Sequence, residues 1–147
     1  MFAAKEKVGV VGVIDPDAYA AATTTSGWVK ADAFLRYIAI IAAGDIATNG
    51  TLDAKIEQAT SAAGAGAKDV TSLAITQLTE AGPDSNKQVV IDIDPCDLDI
   101  ANNFTHFRLS VTGAVAAADW GAVILGVEPV NGPATGFDAA TVDEVVG

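Results

Sequence analysis

Residues 51–58 have the sequence Thr-Leu-Asp-Ala-Lys-Ile-Glu-Gln, in which Leu52, Ala54 and Ile56 are separated by charged residues. Successive side chains of a β-strand point to opposite faces, so this period of two predicts a strand with one apolar and one solvated face. The preceding dipeptide Asn49-Gly50 is typical of a hairpin turn. We therefore predict a half-exposed strand that follows a tight turn.

Similar segments, rich in β-branched residues, lie on both sides of this strand. Residues 34–41 follow a possible helix cap, Asp32, but their three isoleucines and an apolar character on all sides favour a strand buried on both faces. Residues 70–78 suit either a strand or a short helix. The other predicted strands are residues 8–14, which we expect to end at Asp15-Pro16-Asp17, and residues 27–30, 88–94, 97–100, 104–111 and 120–127.

About eight short strands separated by turns indicate an all-β chain. We predict a single antiparallel β-sandwich domain, jelly-roll-like, with extended terminal arms. Its parts are an N-terminal strand or arm with a linker at residues 1–26, the sandwich at residues 27–130 and a C-terminal tail at residues 131–147.

The composition limits the partners that the chain can bind. Its 147 residues include 19 Asp and Glu but only 8 Lys and Arg, which gives a formal net charge of −11. Because nucleic-acid affinity comes largely from Lys and Arg, we predict no nucleic-acid binding. The longest apolar stretch, residues 37–43, is far shorter than the roughly 20 residues of a membrane helix, so we predict no membrane association. Residues 1–12 lead into no convincing cleavage site, and we expect no secretory signal.

Few residues suggest a reactive centre. His106 is the sole histidine, and no Gly-x-Ser-x-Gly motif frames a serine. Arg108 shares a predicted strand face with His106, where both could pair with acids of a neighbouring strand. Cys96 lies among carboxylates, which disfavour a thiolate, so we predict an inert, partly buried thiol.

A group of carboxylates near Cys96 raises the question of calcium binding. Their alternation with apolar residues explains them equally well as the solvated face of a strand, and the sequence leaves cation binding open. These residues are Asp92, Asp94, Asp97 and Asp99. We predict no catalytic, cofactor-binding or metal-binding residue, no cofactor and no enzymatic activity.

The apolar run at residues 8–14 is the strongest candidate for contact with another chain, because an apolar terminal strand can pair with a partner's sheet edge. An ordinary strand in the sheet of its own domain is an equally good interpretation. Trp28, beside a glycine, is a candidate core or interface anchor. The predicted partner-binding residues are Val8, Val10, Val11, Val13 and Trp28.

From about Gly27 to Val130, the order of features resembles small structural proteins encoded among the head genes of tailed bacteriophages and prophages. The motifs that carry this likeness belong to the scaffold and not to a catalytic site. They are residues 27–29, 37–41, 51–60, 66–70, 75–78, 89–94, 107–111 and 123–127.

The resemblance implies a non-enzymatic virion component, most directly a capsid decoration (cement) protein that binds the outer shell and stabilises contacts between capsomers. It implies the major capsid protein or a neighbouring virion protein as partner, together with further copies of the chain, which we expect to form a trimer. The acidic chain would be repelled by packaged DNA, which favours the outer surface of the phage head after assembly in the host cytoplasm. The alternatives are a head–tail connector or tail component and a calcium- or carbohydrate-binding β-sandwich module.

Overall fold

The computed structural model describes residues 3–147, so Met1 and Phe2 of the predicted N-terminal arm lie outside the described residues. No helix in this range has the length and hydropathy needed to cross a membrane. The helices are α1 (Ala4–Lys7) and three 3-10 turns at Pro95–Asp97, Ile100–Asn102 and Ala134–Phe137. The strands are β1 (Val8–Tyr19), β2 (Thr23–Thr25), β3 (Val29–Lys30), β4 (Phe34–Ile46), β5 (Thr51–Ala59), β6 (Lys68–Ala74), β7 (Leu78–Thr79), β8 (Gln88–Ile93), β9 (His106–Ala114) and β10 (Ala118–Pro129).

Two antiparallel sheets pack face to face around one core. The first sheet has the order β1-β10-β4-β8, and the second has the order β2-β9-β5-β6, with β3 beside β9 and β7 beside β5. The strand pairs are nested along the chain, as in one long hairpin that is rolled into a sandwich. From the outermost to the innermost they are β1·β10, β2·β9, β4·β8 and β5·β6. This strand order is that of a jelly roll, and it confirms the predicted antiparallel β-sandwich.

The core lies between the inner faces of the two sheets. In β5, Leu52, Ala54 and Ile56 are at most 2% exposed, as their alternation predicted. Trp120 of the first sheet reaches across the core, and its Nε1 donates a hydrogen bond to Thr24 Oγ1 of the second sheet at 2.8 Å. The core therefore joins both layers by apolar burial and by satisfied polar contacts.

The two ambiguous segments are strands. Residues 34–41 belong to β4, and residues 70–78 contain most of β6 and the first residue of β7, with no helix. In β4 the side chains that face the second sheet are buried, whereas Ile38 and Ile40 on the other side are only half-buried. The prediction of a strand is confirmed, but burial on both faces is wrong because no second layer formed by residues 3–147 covers the outer side.

Strand β1 does not end at residues 15–17. It continues to Tyr19, with a register shift between Ile14 and Asp17 that leaves Asp15 and Pro16 outside the ladder with β10. Proline lacks a backbone N–H but is tolerated at a bulge of an edge strand. The predicted strand end is therefore wrong. Of the two interpretations of residues 8–14, the structure shows the strand in its own domain's sheet.

Residues 97–100 do not extend strand β8 as predicted. The Asp94 carboxylate accepts a hydrogen bond from the Cys96 backbone N–H at 2.9 Å, and the Asp97 carboxylate accepts one from the Asp94 N–H, also at 2.9 Å. These caps and the fixed φ of Pro95 start a 3-10 turn instead. Local turn chemistry thus overrides the alternating pattern.

Segments outside the predicted sandwich also join it. Strand β2, within the predicted linker, pairs with β9. In the predicted C-terminal tail, Ala134 is fully buried, and the backbone N–H of Ala139 donates to the Val10 carbonyl at 2.7 Å. The Asp138 carboxylate accepts a hydrogen bond from the Val10 N–H at 2.7 Å. The C-terminal segment therefore covers one part of the free edge of β1.

Candidate functional site

The side of the first sheet that faces away from the second sheet is largely apolar. Directly paired residues of antiparallel strands share a face, and the register aligns rows such as Val13, Val123, Ile40 and Val90 across all four strands. We call this surface the apolar outer face. Its apolar members are Val8, Val10, Val13, Ile38, Ile40, Ala42, Val90, Val123, Leu125 and Val127.

The apolar outer face is open to solvent at its margins. Val8 is 36% exposed and Val90 is 61% exposed, while the central side chains are half-buried by their neighbours. The polar members Arg36, Gln88 and Asp92 lie on β4 and β8 towards one edge. Contiguous apolar patches on soluble proteins commonly mark interaction sites. This face is therefore the best candidate for the functional surface.

The outer side of the second sheet, which we call the charged outer face, has the opposite character. Arg108 Nε donates to Glu57 Oε2 at 2.7 Å, as the predicted cross-strand charge pair, and Lys55 Nζ lies 2.7 Å from Asp69 Oδ1. The Arg108 guanidinium also stacks over the ring of Trp28 at 4.5 Å. The Nδ1 atom of His106 instead lies 2.9 Å from Thr105 Oγ1.

The structure separates the five residues predicted to bind a partner. Val8, Val10 and Val13 lie on the apolar outer face. Val11 lies at a register shift of β1 and packs against the core, and Trp28 lies on the charged outer face beneath Arg108. Their role in partner binding stays a prediction.

Sequence analysis missed the larger part of this surface, which lies on β4 and β10. The sequence does contain an indication of this surface, because residues 34–41 and 120–127 are apolar at both odd and even positions. A strand that is apolar on both sides needs a second layer on each side. The structure supplies a layer on only one side of Ile40 and Val123.

A groove of about 600 Å³ opens at one end of the apolar outer face. Pro16 and Val13 of β1 line one part of it, and Ile40 and Ala42 of β4 another. Pro16 packs directly on Gly121. A Cβ atom at position 121 would lie only 2.8 Å from the Pro16 Cβ, so this close packing requires glycine. The bulge in β1 and the small residues between the strands thus create an apolar concavity.

The groove also has carboxylates in its lining, Asp17 and Asp119. Asp17 accepts a hydrogen bond from the Ala18 N–H at 2.7 Å, and within residues 3–147 the carboxylate of Asp119 forms neither a hydrogen bond nor an ion pair. Burial, followed by the negative charges of Asp17 and Asp15, raises the pKa of the Tyr19 hydroxyl. This end of the sheet is therefore electronegative.

The four aspartates near Cys96 are used in local structure. Arg36 Nη1 lies 3.0 Å from Asp94 and 3.9 Å from Asp92, and Lys68 Nζ lies 2.6 Å from Asp99. Across residues 3–147, no group of three or more His, Cys, Asp or Glu side chains is placed to hold a metal ion.

The thiol of Cys96 is exposed, so the prediction of partial burial is wrong. Its hydrogen bond to Asp94 raises the pKa of the thiol, and the negative charge of the same carboxylate acts in the same direction. The sequence correctly predicted this direction. A raised pKa disfavours the thiolate, which is the nucleophilic form.

Comparison with known proteins gives structural neighbours only. No family model matches the chain, and no curated protein matches it. A chain in the structure of the infectious bursal disease virus Gt strain is 14% identical with a TM-score of 0.46, over 87% of this chain and 34% of that chain. This protein thus spans about a third of the length of that viral chain.

Two plant-virus structures contain further similar chains. One is the cryo-EM structure of Broad Bean Stain Virus, with 13% identity and a TM-score of 0.38 over 74% of this chain and 58% of that chain. The other is that of naturally occurring empty particles of Cowpea mosaic virus, with 12% identity and a TM-score of 0.37 over 78% and 64%. The fold assignment itself rests on the strand order and pairing of this chain.

Proposed function

We propose that this protein is a non-enzymatic structural component of a phage virion, a decoration protein that attaches to the outer surface of the capsid and stabilises contacts between capsomers. The virion setting comes from the resemblance of residues 27–130 to head-associated phage proteins. The observation that carries the mechanism is the apolar outer face, a four-stranded surface that no layer within the described residues covers. Attachment buries this face against the shell.

The size of the face explains why many copies act together. Four strands about 4.8 Å apart and about six residues of about 3.3 Å each give roughly 400 Å². A stable pairwise interface commonly buries about 800 Å² per partner. One such contact is therefore weak, and a repeating shell or a trimer supplies the missing affinity through multivalency.

The jelly roll also serves metal-binding and carbohydrate-binding domains, so the fold alone does not choose a function. The surroundings of Trp28, the candidate stacking surface for a sugar, favour the structural role. Trp28 has Arg108 stacked 4.5 Å above its ring, and a Cβ atom at Gly64 would lie 2.7 Å from its indole nitrogen, so both contacts compete with a stacking sugar. The electrostatic character agrees with the proposed location, because a chain of net charge −11 is repelled by DNA inside the shell.

The test is co-sedimentation of purified protein with phage particles grown without its gene. We expect the wild-type chain to sediment with these particles and Val123→Glu to lose binding by more than about thirtyfold, because it places a charge in the centre of the apolar outer face. The matched control is Ala114→Glu, at a half-buried position of the charged outer face that pairs with Thr51, and it should bind like wild type. Circular dichroism confirms that both variants are folded.

Electron microscopy of decorated particles then locates the protein. Density spread over the icosahedral faces supports the decoration role. Density at a single vertex would replace it with the connector role, and equal binding of Val123→Glu and wild type would reject the apolar outer face as the attachment surface. Sedimentation equilibrium of the free protein tests the expected trimer.

A further inference from the structure

Strand β8 is an edge strand of the first sheet, and one side of it has unpaired backbone groups. The backbone N–H of Ala43 donates to the Lys87 carbonyl at 2.9 Å, and the same register continues along β4 and β8. Hydrogen-bonded positions of an antiparallel ladder alternate, so residues 89, 91 and 93 bond to β4. Within residues 3–147, no strand pairs with the other side of β8, which we call the free edge of β8. The N–H and C=O groups that point to it belong to Gln88, Val90 and Asp92.

The other edges of the two sheets are covered, irregular or very short. Strand β1 has two register shifts, and the Asp138 carboxylate and the Ala139 N–H bond to the backbone of Val10. Strand β6 pairs with β5 across a register shift and contains Ser72 at a φ of 70°. Strands β2, β3 and β7 have three residues or fewer. Such devices protect edge strands from pairing with other chains. Strand β8 is regular over its six residues and contains neither Pro nor Lys, so it is the edge best suited to accept another strand.

The side chains along the free edge of β8 match those of a second copy. In an antiparallel pairing centred on Val90, which is 61% exposed, each Val90 lies opposite its counterpart. Gln88 then lies opposite Asp92 of the second copy, where its amide can donate to the carboxylate and no like charges are opposed. Each of these three residue pairs exchanges two backbone hydrogen bonds. A register shifted towards the end of β8 would bring the two Asp92 carboxylates together instead.

The pairing also makes the two apolar outer faces continuous. Opposed residues of antiparallel strands share a face, so Val90 and its counterpart lie on the same side of the joined sheet. Two faces of roughly 400 Å² each give roughly 800 Å², which is the area that one partner commonly buries in a stable interface. The second copy therefore supplies the apolar area that a single chain lacks.

We propose that two copies of this chain pair through their free edges of β8 and form one continuous eight-stranded sheet. The contact has two-fold symmetry, so it does not itself build the expected trimer. It joins either two single copies or one copy from each of two neighbouring trimers. The pairing goes beyond the proposed function and does not depend on it, whereas the use of the joined face for attachment rests on that function.

Sedimentation equilibrium in about 0.15 M salt, where repulsion between the acidic chains is screened beyond about 8 Å, tests the pairing. We expect a two-fold association step with a dissociation constant of about 0.1–1 mM, because the ladder is short. Val90→Pro should weaken this step by more than about tenfold, since it removes an N–H that points to the free edge and is not bonded to β4. Val90→Thr keeps the N–H and the shape of the side chain, and it should associate like wild type. Circular dichroism confirms that both variants are folded.

Charge variants of Gln88 test the register. Gln88→Glu opposes two carboxylates twice in each pair and should weaken the association by about threefold or more, whereas Gln88→Lys should strengthen it by a similar factor. Asn131→Glu and Asn131→Lys, in an exposed loop, are the controls for net charge and should change the association much less. Equal effects at positions 88 and 131 would overturn the register centred on Val90.

The absence of association up to about 1 mM, or an assembly that Val90→Pro leaves unchanged, would overturn the inference. Association that Val123→Glu abolishes and Val90→Pro does not would also overturn it, because the copies would then meet through their apolar outer faces. Particle binding separates this inference from the proposed function. If the copies pair through β8 but bind no particles, the pairing stands and the decoration role is wrong. If particles are bound but Val90→Pro and Val90→Thr associate equally, the decoration role stands and the pairing is wrong.

Discussion

Both outer faces of the sandwich are formed by antiparallel strands, but they differ in their side chains. The charged outer face carries ion pairs, and the apolar outer face carries mainly aliphatic side chains. On the charged outer face, Arg108 bonds to Glu57 and stacks on Trp28, so its polar groups are satisfied within the chain. On the apolar outer face, Val123 and Leu125 remain half-buried beside their neighbours in the sheet. The charged groups of the first face are thus paired within the chain, whereas the second face leaves apolar side chains partly exposed to solvent.

This difference identifies the source of free energy for the proposed attachment. Burying apolar surface gains roughly 25 cal/mol per Å² of removed area, and it requires no matching geometry of donors and acceptors. The charged outer face would lose its hydration and its internal pairs on burial. The apolar outer face is therefore the side that gains from contact with another protein.

The largest expected effect on stability comes from substitutions at two adjacent residues of β10 whose side chains point to opposite sides of the sheet. Ile124 is fully buried in the core, whereas Leu125 is half-buried on the apolar outer face. We expect Ile124→Ala to lower the free energy of unfolding by about 2–4 kcal/mol and Leu125→Ala by less than about 1 kcal/mol. Urea denaturation measures both. Equal losses would mean that the apolar outer face belongs to the folding core.

A smaller effect concerns the charged outer face. The side chains of Arg108 and Glu57 are only 28% and 16% exposed, so their ion pair is partly desolvated. We expect Arg108→Met to lower the free energy of unfolding by about 1–2 kcal/mol, through loss of this pair and of the stacking on Trp28. A double-mutant cycle with Glu57→Gln isolates the pair.

Lys30→Met is the control for that cycle. Lys30 pairs with Asp32 at an exposed position away from Glu57, where an ion pair contributes less than about 1 kcal/mol. A coupling energy near zero between Arg108 and Glu57 would show that the charged outer face is not held together by this pair.

The smallest effect comes from carboxylates outside both faces. The Cys96 backbone N–H holds the pKa of Asp94 below its usual value, and the hydrogen bond from Lys68 does the same for Asp99. Because the folded-state pKa is depressed, the stabilisation is complete above about pH 4 and is lost as the pH falls through the lowered pKa. The free energy of unfolding should therefore decrease in acid.

Urea midpoints at about pH 6 and about pH 3 measure this loss. Asp94→Asn should show a smaller difference between the two midpoints than wild type. Leu125→Ala should show the same difference as wild type, because its side chain does not titrate. An unchanged difference in Asp94→Asn would show that this carboxylate does not contribute to acid sensitivity.

The sequence predicted the architecture well where periodicity alone decides the local structure. The alternation around Leu52 and Ile56 gave the correct strand and the correct buried side. It was misleading where local geometry competes with alternation, as at the 3-10 turn that begins at Pro95 and at the bulge around Pro16. Proline effects depend on whether the backbone N–H is needed there, which is a property of the neighbouring strands.

The amino-acid sequence by itself determined that the chain is acidic, all-β and rich in strands that are apolar on both sides. Only the tertiary structure decided which apolar side becomes the core and which remains outside. The physical reason is that each strand carries two candidate faces, and strand pairing across distant parts of the chain selects the one that meets the second sheet. Ile40 and Ile41 are neighbours of the same residue type, yet the fold buries Ile41 in the core and leaves Ile40 half-buried on the apolar outer face.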